Sequence, residues 1–567
     1  MGWRHRVGIV AAALLAAGVA AGYTHEHSRV QWEEYSGAAF QRAREEGKPV
    51  FLVVSAVWCF NCQLYESQTL EVREVAEFLN RHTVPVFVDY DRRSDLARAY
   101  PAVGIPVTVV FAPDGERLVS VPGAIPADRL LANLRRTLRF LREEYRPEPA
   151  RPGPRGARPA SPPTVPDRAA LEGYRRRFED AMERGFDPAF GGFGLAQKEP
   201  HAEVLRRLLD RMARGDDRWR EPVRTTLRHI LGLEQQRPPP EARPALERLL
   251  ALQLRQTELL SETDALQELH PLAGLFDPVE GGFFRYATRR NWTVPHFEKT
   301  LFANAELIDL FLDAHRVFGE AAYRDAARRS ALYVIRTLFD PEAGRFLGSQ
   351  RADEVYYHLG ADERPRATPP PVDPTTYAAS SARAALALLR GAEALQDPSL
   401  REVALRGLAF VERRMLGPEG VLSFFDPEQD RAALDGQLAD NAWVARAFLG
   451  AHGATGEARY LARARELLEL LATRLYDPAG GGFFARRSTQ RDLYRPGEEV
   501  SVEKPFEENG VAAATLLEAF ERTGEAKYRR MAQRTLGRFL PEIEAGRQPA
   551  SSPEFDRVAQ KLLEELR

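Results

Sequence analysis

A short signature that recurs along most of the chain limits its fold more than any other feature. In the clear copies a glycine stands four residues before an aromatic residue, and a weaker copy has Gln and Leu instead. A glycine there ends one helix, the acidic residue that follows favours the start of the next, and the aromatic side chain packs between the two. The signature therefore predicts helical hairpins stacked in series. The copies are Gly215-Asp-Asp-Arg-Trp219, Gly319-Glu-Ala-Ala-Tyr323, Gln396-Asp-Pro-Ser-Leu400, Gly456-Glu-Ala-Arg-Tyr460 and Gly524-Glu-Ala-Lys-Tyr528.

A second signature, an aromatic residue followed by Asp-Pro, falls between these hairpins. Asp-Pro starts a turn and the following glycines permit positive φ, so these loops return the chain from an outer helix to the next inner one. Five hairpins are visible, and a sixth can combine a helix at 168–184 with the segment 241–269. Six hairpins predict an all-α (α/α)6 toroid, with an open solenoid as the alternative. The Asp-Pro copies begin at Phe186, Phe276, Phe339, Phe425 and Tyr476, and Gly-Gly-Phe follows three of them at 191–193, 281–283 and 481–483.

The only two cysteines of the 567-residue chain, Cys59 and Cys62, form a Cys-x-x-Cys motif. A β-branched run at 49–55 precedes the motif and a helix-compatible segment at 63–80 follows it. This is the strand–turn–helix setting of a redox dithiol. A cysteine at a helix N-terminus has its thiolate stabilised there, and a second cysteine one turn later can resolve a mixed disulfide. A structural disulfide closing so short a loop would gain little stability, and zinc would require four ligands, so no metal site is predicted.

The segments around the motif predict an α/β domain. Helices are expected at 36–46, 63–80, 94–100 and 128–141, and strands at 49–55 and 84–89. Residues 104–121 predict a β-hairpin with its turn at 113–115. This order of elements is that of thioredoxin.

The N-terminus predicts export. Arg4-His5-Arg6 precedes an uncharged run at 7–22, which has the layout of a secretory signal and falls short of the roughly 20 residues that span a bilayer. The run is either a cleaved signal peptide or a retained anchor, and an ordinary buried helix is the third alternative. With the basic flank inside, the first two alternatives place the rest of the chain outside the cytoplasm, on the periplasmic or secreted side. No other membrane contact is predicted.

Charge and composition divide the chain and exclude one class of partner. The net charge of −2 and the absence of a basic patch interleaved with aromatic residues give no basis for nucleic-acid binding. A Pro-rich stretch at 147–166 predicts a stiff spacer. We therefore predict a signal or anchor at 1–22, a thioredoxin-like domain at 23–145, a linker at 146–166 and the six-hairpin domain at 167–567.

The first domain resembles two known families. Trp58-Cys59-x-x-Cys62 with Glu66 one turn on, and Gly104-Ile105-Pro106 before a strand, are similar to the thioredoxin-like domains of the disulfide reductase DsbD and of the spermatogenesis-associated thioredoxin-like family. The resemblance implies that Cys59, Cys62, Trp58 and Pro106 form the catalytic site and that Pro106 is a cis-proline facing the dithiol. The run at 50–55 lacks the buried acid usual in thioredoxins. Proton transfer at Cys62 would therefore use water or another group, and Glu66 is the nearest candidate.

The resemblance to the spermatogenesis-associated family continues in the second domain. It is carried by Gly281-Gly-Phe-Phe-Arg-Tyr286, Trp292-Thr-Val-Pro-His296-Phe-Glu-Lys299 and Asn304-Ala-Glu-Leu. Members of that family join a thioredoxin-like domain to a barrel like those of six-hairpin glycosidases and N-acylglucosamine epimerases. The segments 196–200 and 288–291 depart from the family pattern, which puts any shared catalysis in doubt.

Polar residues near the starts of the inner helices are the candidates for a ligand-binding funnel in the toroid. Tyr286 and Trp292 could stack on a sugar, and Glu298 with Asp440 or Glu508 could serve acid/base hydrolysis. Epimerisation would instead use His296 to move a proton. Helix capping is the competing role for Asp440, Asn441 and Asn509. The candidates are Trp292, His296, Glu298, Lys299, Asn304, Asp440, Asn441 and Glu508.

These features predict an extracytoplasmic thiol–disulfide oxidoreductase that needs no cofactor. Its partners would be a disulfide-bearing protein client or an upstream thiol reductase, and the toroid would bind a carbohydrate or the client. One alternative is a glycan-processing enzyme, a glycosidase or sugar epimerase, with a regulatory thioredoxin-like domain. The other alternative is a toroid that acts as a non-catalytic scaffold.

Overall fold

A computed structural model describes residues 28–99, 104–147, 164–234, 272–486 and 503–566. It divides the chain into two compact units, one of residues 1–147 with Pro369–Pro374 and one of residues 148–368 with 375–567. The predicted signal segment at 1–22 and most of the predicted linker lie outside the described residues. Within the described ranges, no helix combines the length and the hydropathy that crossing a bilayer requires.

The first unit is built on a five-stranded mixed sheet with the order β1-β3-β2-β4-β5. Strand β2 lies at the centre, parallel to β3 and antiparallel to β4. Every residue of β2 is buried, as its β-branched composition predicts for a central strand. The strands are β1 (Glu33–Glu34), β2 (Val50–Ser55), β3 (Val84–Asp89), β4 (Val107–Phe111) and β5 (Arg117–Pro122).

The helices of this unit follow the prediction except after the cysteine motif. One helix was expected over 63–80, but α2 ends at Tyr65, a π-helical turn spans Glu66–Leu70, and α3 begins at Arg73. The break falls where a distant segment binds, because the Glu71 carboxylate accepts hydrogen bonds from Ser28 Oγ and from the Arg29 backbone N–H. The helices are α1 (Gly37–Glu46), α2 (Phe60–Tyr65), α3 (Arg73–His82), α4 (Ser94–Ala99) and α5 (Ala127–Glu143).

The second unit is a closed ring of helical hairpins, so the predicted toroid is confirmed. Six inner helices contact one another in sequence, and the last of them also contacts the first. The inner helices are α7 (Ala202–Ala213), α9 (Leu301–Phe318), α12 (Ala378–Ala394), α14 (Leu438–Thr455), α16 (Phe506–Thr523) and α18 (Pro553–Glu565). The outer helices are α6 (Arg168–Gly185), α8 (Arg220–Ile230), α10 (Ala321–Thr337), α13 (Pro398–Arg414), α15 (Ala458–Arg474) and α17 (Ala526–Glu544).

The sixth hairpin differs from the one expected. We predicted that the helix at 168–184 would pair with the segment 241–269, but α6 packs against α18 at the other end of the chain. The ring is therefore closed by its two terminal helices. The segment 241–269 lies outside the described residues.

The two recurring signatures have the predicted structural roles. Gly319, Gly456 and Gly524 end inner helices with positive φ. The aromatic residues that follow, among them Tyr323 and Tyr460, are buried between the helices of each hairpin. The remaining short elements are a helix, α11 (Glu354–His358), and the strands β6 (Lys299–Thr300), β7 (Phe339–Asp340), β8 (Arg345–Phe346), β9 (Ser349–Gln350), β10 (Val372–Asp373), β11 (Thr376–Tyr377), β12 (Leu416–Gly417), β13 (Gly420–Val421), β14 (Phe424–Asp426) and β15 (Arg431–Ala433). Of these, β10 falls in the stretch Pro369–Pro374 that is grouped with the first unit.

Candidate functional site

The two cysteines lie where the central strand β2 passes into α2. Cys59 is the N-cap of α2, and its Sγ accepts a hydrogen bond from the Cys62 backbone N–H at 3.3 Å. A donor at this position stabilises negative charge on the sulfur. Both cysteines are free thiols, so the arrangement is that of a reduced dithiol.

The loop before β4 lies against this dithiol. The Ile105–Pro106 peptide bond is cis, and Cys59 Sγ donates to the Ile105 carbonyl oxygen at 3.8 Å. The structure thus brings Cys59 together with the loop that carries Pro106. Both sulfurs are nonetheless buried, with Cys59 2% and Cys62 0% exposed. Attack on a disulfide therefore requires a motion that exposes Cys59.

Trp58 is fixed beside the dithiol by polar and aromatic contacts. Its indole Nε1 donates to Asp91 Oδ2 at 2.6 Å, and its ring meets Tyr90 edge-on at a centroid distance of 6.5 Å. Trp58 is itself buried and belongs to the same apolar cluster as Cys59 and Cys62. These contacts give the motif a rigid aromatic wall.

Glu66 lies behind the motif, one helical turn beyond Cys62. Its Oε1 accepts a hydrogen bond at 2.8 Å from the hydroxyl of Ser55, the buried last residue of β2. The carboxylate is therefore tied to the strand that leads into the dithiol. This position is compatible with the proton-transfer role for which Glu66 was the nearest sequence candidate.

In the second unit, three of the Asp-Pro loops are held by a lysine. In each loop the ammonium group contacts the loop aspartate and the carbonyl oxygen of a glycine. The Lys198 Nζ lies 2.9 Å from Asp187 Oδ2 and 2.9 Å from Gly191 O, Lys299 lies 2.6 Å from Asp277 and 2.9 Å from Gly281, and Lys504 lies 2.7 Å from Asp477 and 2.6 Å from Gly481.

Lys299, like Lys198, has no exposed side-chain surface, and it is also surrounded by aromatic rings. It is fully buried, and its ammonium lies within 5.1 Å of the ring centroids of Phe284, Tyr333 and Tyr357. Burial lowers the pKa of Lys299 to about 8, although the Asp277 carboxylate opposes the shift. Ligand binding by Lys299 stays a prediction, and this enclosed position does not support it.

Buried asparagines bind backbone groups of two of these loops and of a further loop at Val421. Asn304 Oδ1 accepts from the Phe283 N–H at 2.7 Å, and its Nδ2 donates to Phe283 O and Thr300 O. Asn441 accepts from the Val421 N–H at 3.0 Å, and Asn509 repeats the pattern with Phe483. The sequence proposed ligand binding for Asn304 and Asn441, whereas the contacts present here are structural.

Trp292 is also enclosed. It is fully buried, and its Nε1 donates to Phe190 O at 2.9 Å. Its ring lies so close to Gly192 that a Cβ on that glycine would approach Trp292 Cζ2 to 2.6 Å. The predicted stacking of Trp292 on a sugar therefore stays untested, and the indole here packs two loops together.

His296 and Glu298 are brought together. His296 Nδ1 lies 3.5 Å from Glu298 Oε1, and its ring stacks on Tyr286 at a centroid distance of 4.1 Å. Burial favours the neutral acid of Glu298, but the hydrogen bond and charge of His296 and the charge of Arg285 lower its pKa below the usual value. Burial raises the pKa of nearby Glu199. Among the predicted funnel residues, this cluster most resembles a catalytic site.

Asp440 and Glu508 lie in the first turns of α14 and α16, at the helix starts where the funnel was predicted. Asp440 is buried and accepts a hydrogen bond from Ser423 Oγ. Glu508 is half-buried. Their predicted pairing with Glu298 in acid/base chemistry stays a prediction.

Across the described ranges, no group of three or more His, Cys, Asp or Glu side chains is placed to hold a metal ion.

The inner face of the helix ring encloses a cavity of about 400 Å³ that the sequence analysis did not predict. We call it the axial cavity, because all six inner helices line it. Its lining has nine basic side chains and six carboxylates, and further carboxylates behind the lining, among them Asp556 and Glu554, pair with some of the basic groups. The charged lining groups are Arg206, Arg207, Arg214, Arg316, Arg383, Arg390, Arg446, Arg557 and Lys561, and Glu203, Asp210, Glu306, Asp309, Asp313 and Glu518.

The pKa values of two glutamates that line the axial cavity are shifted in opposite directions. Burial raises the pKa of Glu306 to about 7, although the charge of Arg383 opposes the rise. Burial also acts on Glu203, but the charges of four arginines, Arg206 foremost, outweigh it and lower its pKa to about 2. Arg383 pairs with Glu306, and its guanidinium lies 4.3 Å from the Phe302 ring centroid and 3.9 Å from that of Trp443.

One sequence signal could have revealed the axial cavity. Glu306, Asp309 and Asp313 interrupt the otherwise apolar helix α9 at spacings of three and four residues. Residues so spaced share one helix face, and a carboxylate stripe on a core helix indicates a polar interior.

Comparisons with known proteins agree with this two-part organisation. Residues 19–148 match the family model Thioredox_DsbH, described as "Protein of unknown function, DUF255". Spermatogenesis-associated protein 20 of Mus musculus is 26% identical over 349 residues, covering 58% of this chain and 39% of the mouse protein. The Homo sapiens protein is 27% identical over 350 residues, covering 58% of this chain and 40% of its own length. The chain thus spans about 40% of the length of the curated relatives it matches.

Two solved structures show the same fold as the helical unit. The cellobiose 2-epimerase from Spirochaeta thermophila has a TM-score of 0.51 and 14% identity, covering 70% of this chain and 97% of its own. The cellobiose 2-epimerase from Bacillus thermoamylovorans has a TM-score of 0.50 and 11% identity, covering 70% of this chain and 100% of its own. The predicted fold class and the family resemblance are confirmed. At these identities the likeness to the epimerases concerns the fold alone.

Proposed function

We propose that the protein is a thiol–disulfide oxidoreductase whose reactive groups are Cys59 and Cys62, joined to an (α/α)6 domain that binds a carbohydrate or a protein client. The observation that carries the proposal is the 3.3 Å hydrogen bond from the Cys62 N–H to Cys59 Sγ at the start of α2. The match to the Thioredox_DsbH family supports it. The apolar run at 7–22 supports a location outside the cytoplasm, where disulfide-bearing clients occur.

The reaction takes two steps. The Cys59 thiolate attacks a client disulfide, forms a mixed disulfide and releases one client sulfur, which takes up a proton. Cys62 then loses its proton and attacks Cys59 Sγ, which closes the Cys59–Cys62 disulfide and releases the second client thiol. Two electrons pass from the dithiol to the client, and a thiol reductase returns them.

Each part of the local structure has a role in this scheme. The Cys62 N–H stabilises the attacking sulfur, and the Pro106 loop, which already contacts Cys59, supplies backbone groups for an extended client segment. Glu66 lies one helical turn after Cys62 and accepts a hydrogen bond from the Ser55 hydroxyl. In this scheme the Glu66 carboxylate accepts the proton that Cys62 loses. Trp58 shields the dithiol from water.

Trapping of mixed disulfides tests the proposal. Cys62→Ser should retain clients through Cys59 as complexes that dithiothreitol releases, and Cys59→Ser should retain few. The equilibrium potential of the Cys59–Cys62 pair, measured against glutathione, gives the direction in which the two steps run. If Cys62→Ser traps no more than Cys59→Ser, and the pair forms no disulfide at any glutathione ratio, the proposal is wrong.

A second candidate function is glycan processing by the toroid. The His296–Glu298 pair favours it, because a histidine beside a buried carboxylate can move a proton. Its test is turnover of neutral glycans that is lost in Glu298→Gln and retained in Cys59→Ser. Absence of turnover in the wild type, or turnover that Glu298→Gln retains, would exclude this candidate.

A further inference from the structure

Two guanidinium groups that line the axial cavity each leave one buried N–H donor without an acceptor among the described residues. Arg207 is almost fully buried, yet within the described residues its Nη2 has no hydrogen-bond acceptor. Arg383 Nε has none there either. A guanidinium donor buried without an acceptor is costly, so these donors indicate a missing anionic partner.

The other nitrogens of Arg207 are paired, since its Nε donates to Asp556 at 2.6 Å and its Nη1 to Asp210. Arg446 is closed by two carboxylates, with Glu518 at 2.6 Å and Glu554 at 2.7 Å. Arg557 has only long ion pairs, to Glu554 at 3.8 Å and to Glu203 at 3.9 Å. The lining therefore combines ion pairs that brace the inner helices with a few donors, Arg207 Nη2, Arg383 Nε and the Arg557 guanidinium, that can bind an added acid group.

We propose that the axial cavity binds a small anionic molecule of about monosaccharide size, whose carboxylate or phosphate group is held by the guanidinium of Arg557 and by the donors Arg207 Nη2 and Arg383 Nε. The volume of about 400 Å³ lies within the usual range of small-molecule sites. Trp443 and Leu386 provide an apolar wall for the uncharged part of the ligand. The site belongs to the helical unit alone and does not rest on the dithiol chemistry.

Glu306 makes this binding dependent on pH. An ionised Glu306 repels an incoming anion, whereas its protonated form removes the repulsion and can donate a hydrogen bond. Because burial raises its pKa to about 7, the affinity should fall as the pH rises above 7. The charged groups that act on Glu306 are Glu203 and Arg206 from α7 and Arg383 from α12.

Calorimetric titration of the full chain at pH 6 tests the proposal with three matched probes. D-glucuronate carries a carboxylate, glucose 6-phosphate carries a phosphate, and glucose carries neither. At least one anion should bind with a dissociation constant of about 1 mM or below, and glucose at least about tenfold more weakly. The tighter anion identifies the acid group. Failure of both anions, or equal binding of glucose, would overturn the proposal.

Variants locate the binding. Arg557→Gln removes a half-buried charge with only long ion pairs, so it should fold and weaken anion binding by about tenfold or more. Arg474→Gln, on the exposed side of α15, is the matched control and should change nothing. Glu306→Gln should bring the ratio of affinities at pH 6 and pH 8.5 close to one, from about tenfold in the wild type. Binding unchanged in Arg557→Gln would contradict the proposed site.

Discussion

Lys299 Nζ lies 2.6 Å from Asp277 Oδ2, and neither side chain is exposed. The pair joins the segment before α9 to the Asp-Pro loop that begins at Phe276. Lys504 and Asp477 repeat it at 2.7 Å, but with 11% and 20% of their side chains exposed. Both pairs join a lysine to the aspartate of an Asp-Pro loop and they differ in burial, and Asp277 has the Arg364 guanidinium as a second partner.

Lys299→Met should destabilise the fold more than Lys504→Met. Removing Lys299 leaves the buried Asp277 carboxylate with Arg364 alone, at 2.6 Å, and leaves the Gly281 carbonyl without its ammonium donor. Breaking a buried pair in this way costs about 3 kcal/mol, and the partly exposed pair should cost about 1 kcal/mol. Urea unfolding of the two variants measures the difference. Equal losses would show that burial does not decide the contribution of this contact.

Local signals explain what the sequence could predict. Gly319 and Tyr323 predict a hairpin from only five residues of sequence. This is possible because the glycine that ends one helix and the aromatic residue that packs against the next lie close together in the chain. Cys59 and Cys62 are similarly local, since the strand, the turn and the helix around them are contiguous. Such features need no knowledge of the rest of the fold.

The rest depends on contacts between distant segments. Nothing near Arg168 indicates that α6 will pair with α18, because the ring closes only once every hairpin is in place. Lys299 and Asn304 have the residue types of a binding site, and the sequence could not show that their partners are Asp277 and Phe283 of the loop before them. A polar residue in such a repeat can either bind a ligand or hold a neighbouring loop in place. Only its burial in the folded structure distinguishes the two roles.

Gly192→Ala should be far more harmful than Gly194→Ala. Both glycines have positive φ, +70° and +82°, so each alanine pays the cost of about 1–2 kcal/mol for a left-handed backbone. At Gly192 the added Cβ would also meet Trp292 Cζ2 at 2.6 Å, whereas at Gly194 the nearest atom is 4.0 Å away. Overpacking should add about 1–3 kcal/mol at Gly192 alone. Thermal unfolding compares the variants, and equal melting temperatures would contradict the close packing of Trp292.

Glu66→Gln should slow the second step of the proposed redox reaction. The variant keeps a partner for the Ser55 hydroxyl but cannot accept the Cys62 proton, so turnover at pH 7 should fall by about tenfold or more and recover at higher pH. Mixed disulfides should accumulate during reduction of a model disulfide. Glu77→Gln, on the exposed face of α3, is the control for the loss of one negative charge. A pH profile identical to that of the wild type would assign proton transfer to water.

Glu306→Gln should change how stability depends on pH. Burial raises the folded-state pKa of Glu306 to about 7, above its usual value of about 4.5. Between these values the folded state binds the proton that the unfolded state releases, so this contribution to stability is complete below pH 4.5 and is lost as the pH rises through 7. Glutamine resembles the protonated acid and does not titrate. Relative to the wild type, Glu306→Gln should therefore gain about 1–3 kcal/mol between pH 5 and pH 8.

Denaturant unfolding at pH 5, 6.5 and 8 measures this gain. Arg383 remains beside residue 306 in both proteins. In Glu306→Gln it lacks an ionised partner, which changes the difference in stability only at the highest pH, where the wild-type Glu306 is ionised. Glu77→Gln is again the control, because Glu77 is exposed and burial does not favour its protonated form. Its stability should run parallel to that of the wild type across the three pH values. If Glu306→Gln also runs parallel, Glu306 is ionised throughout this range, and the axial cavity accommodates its charge without the cost that burial predicts.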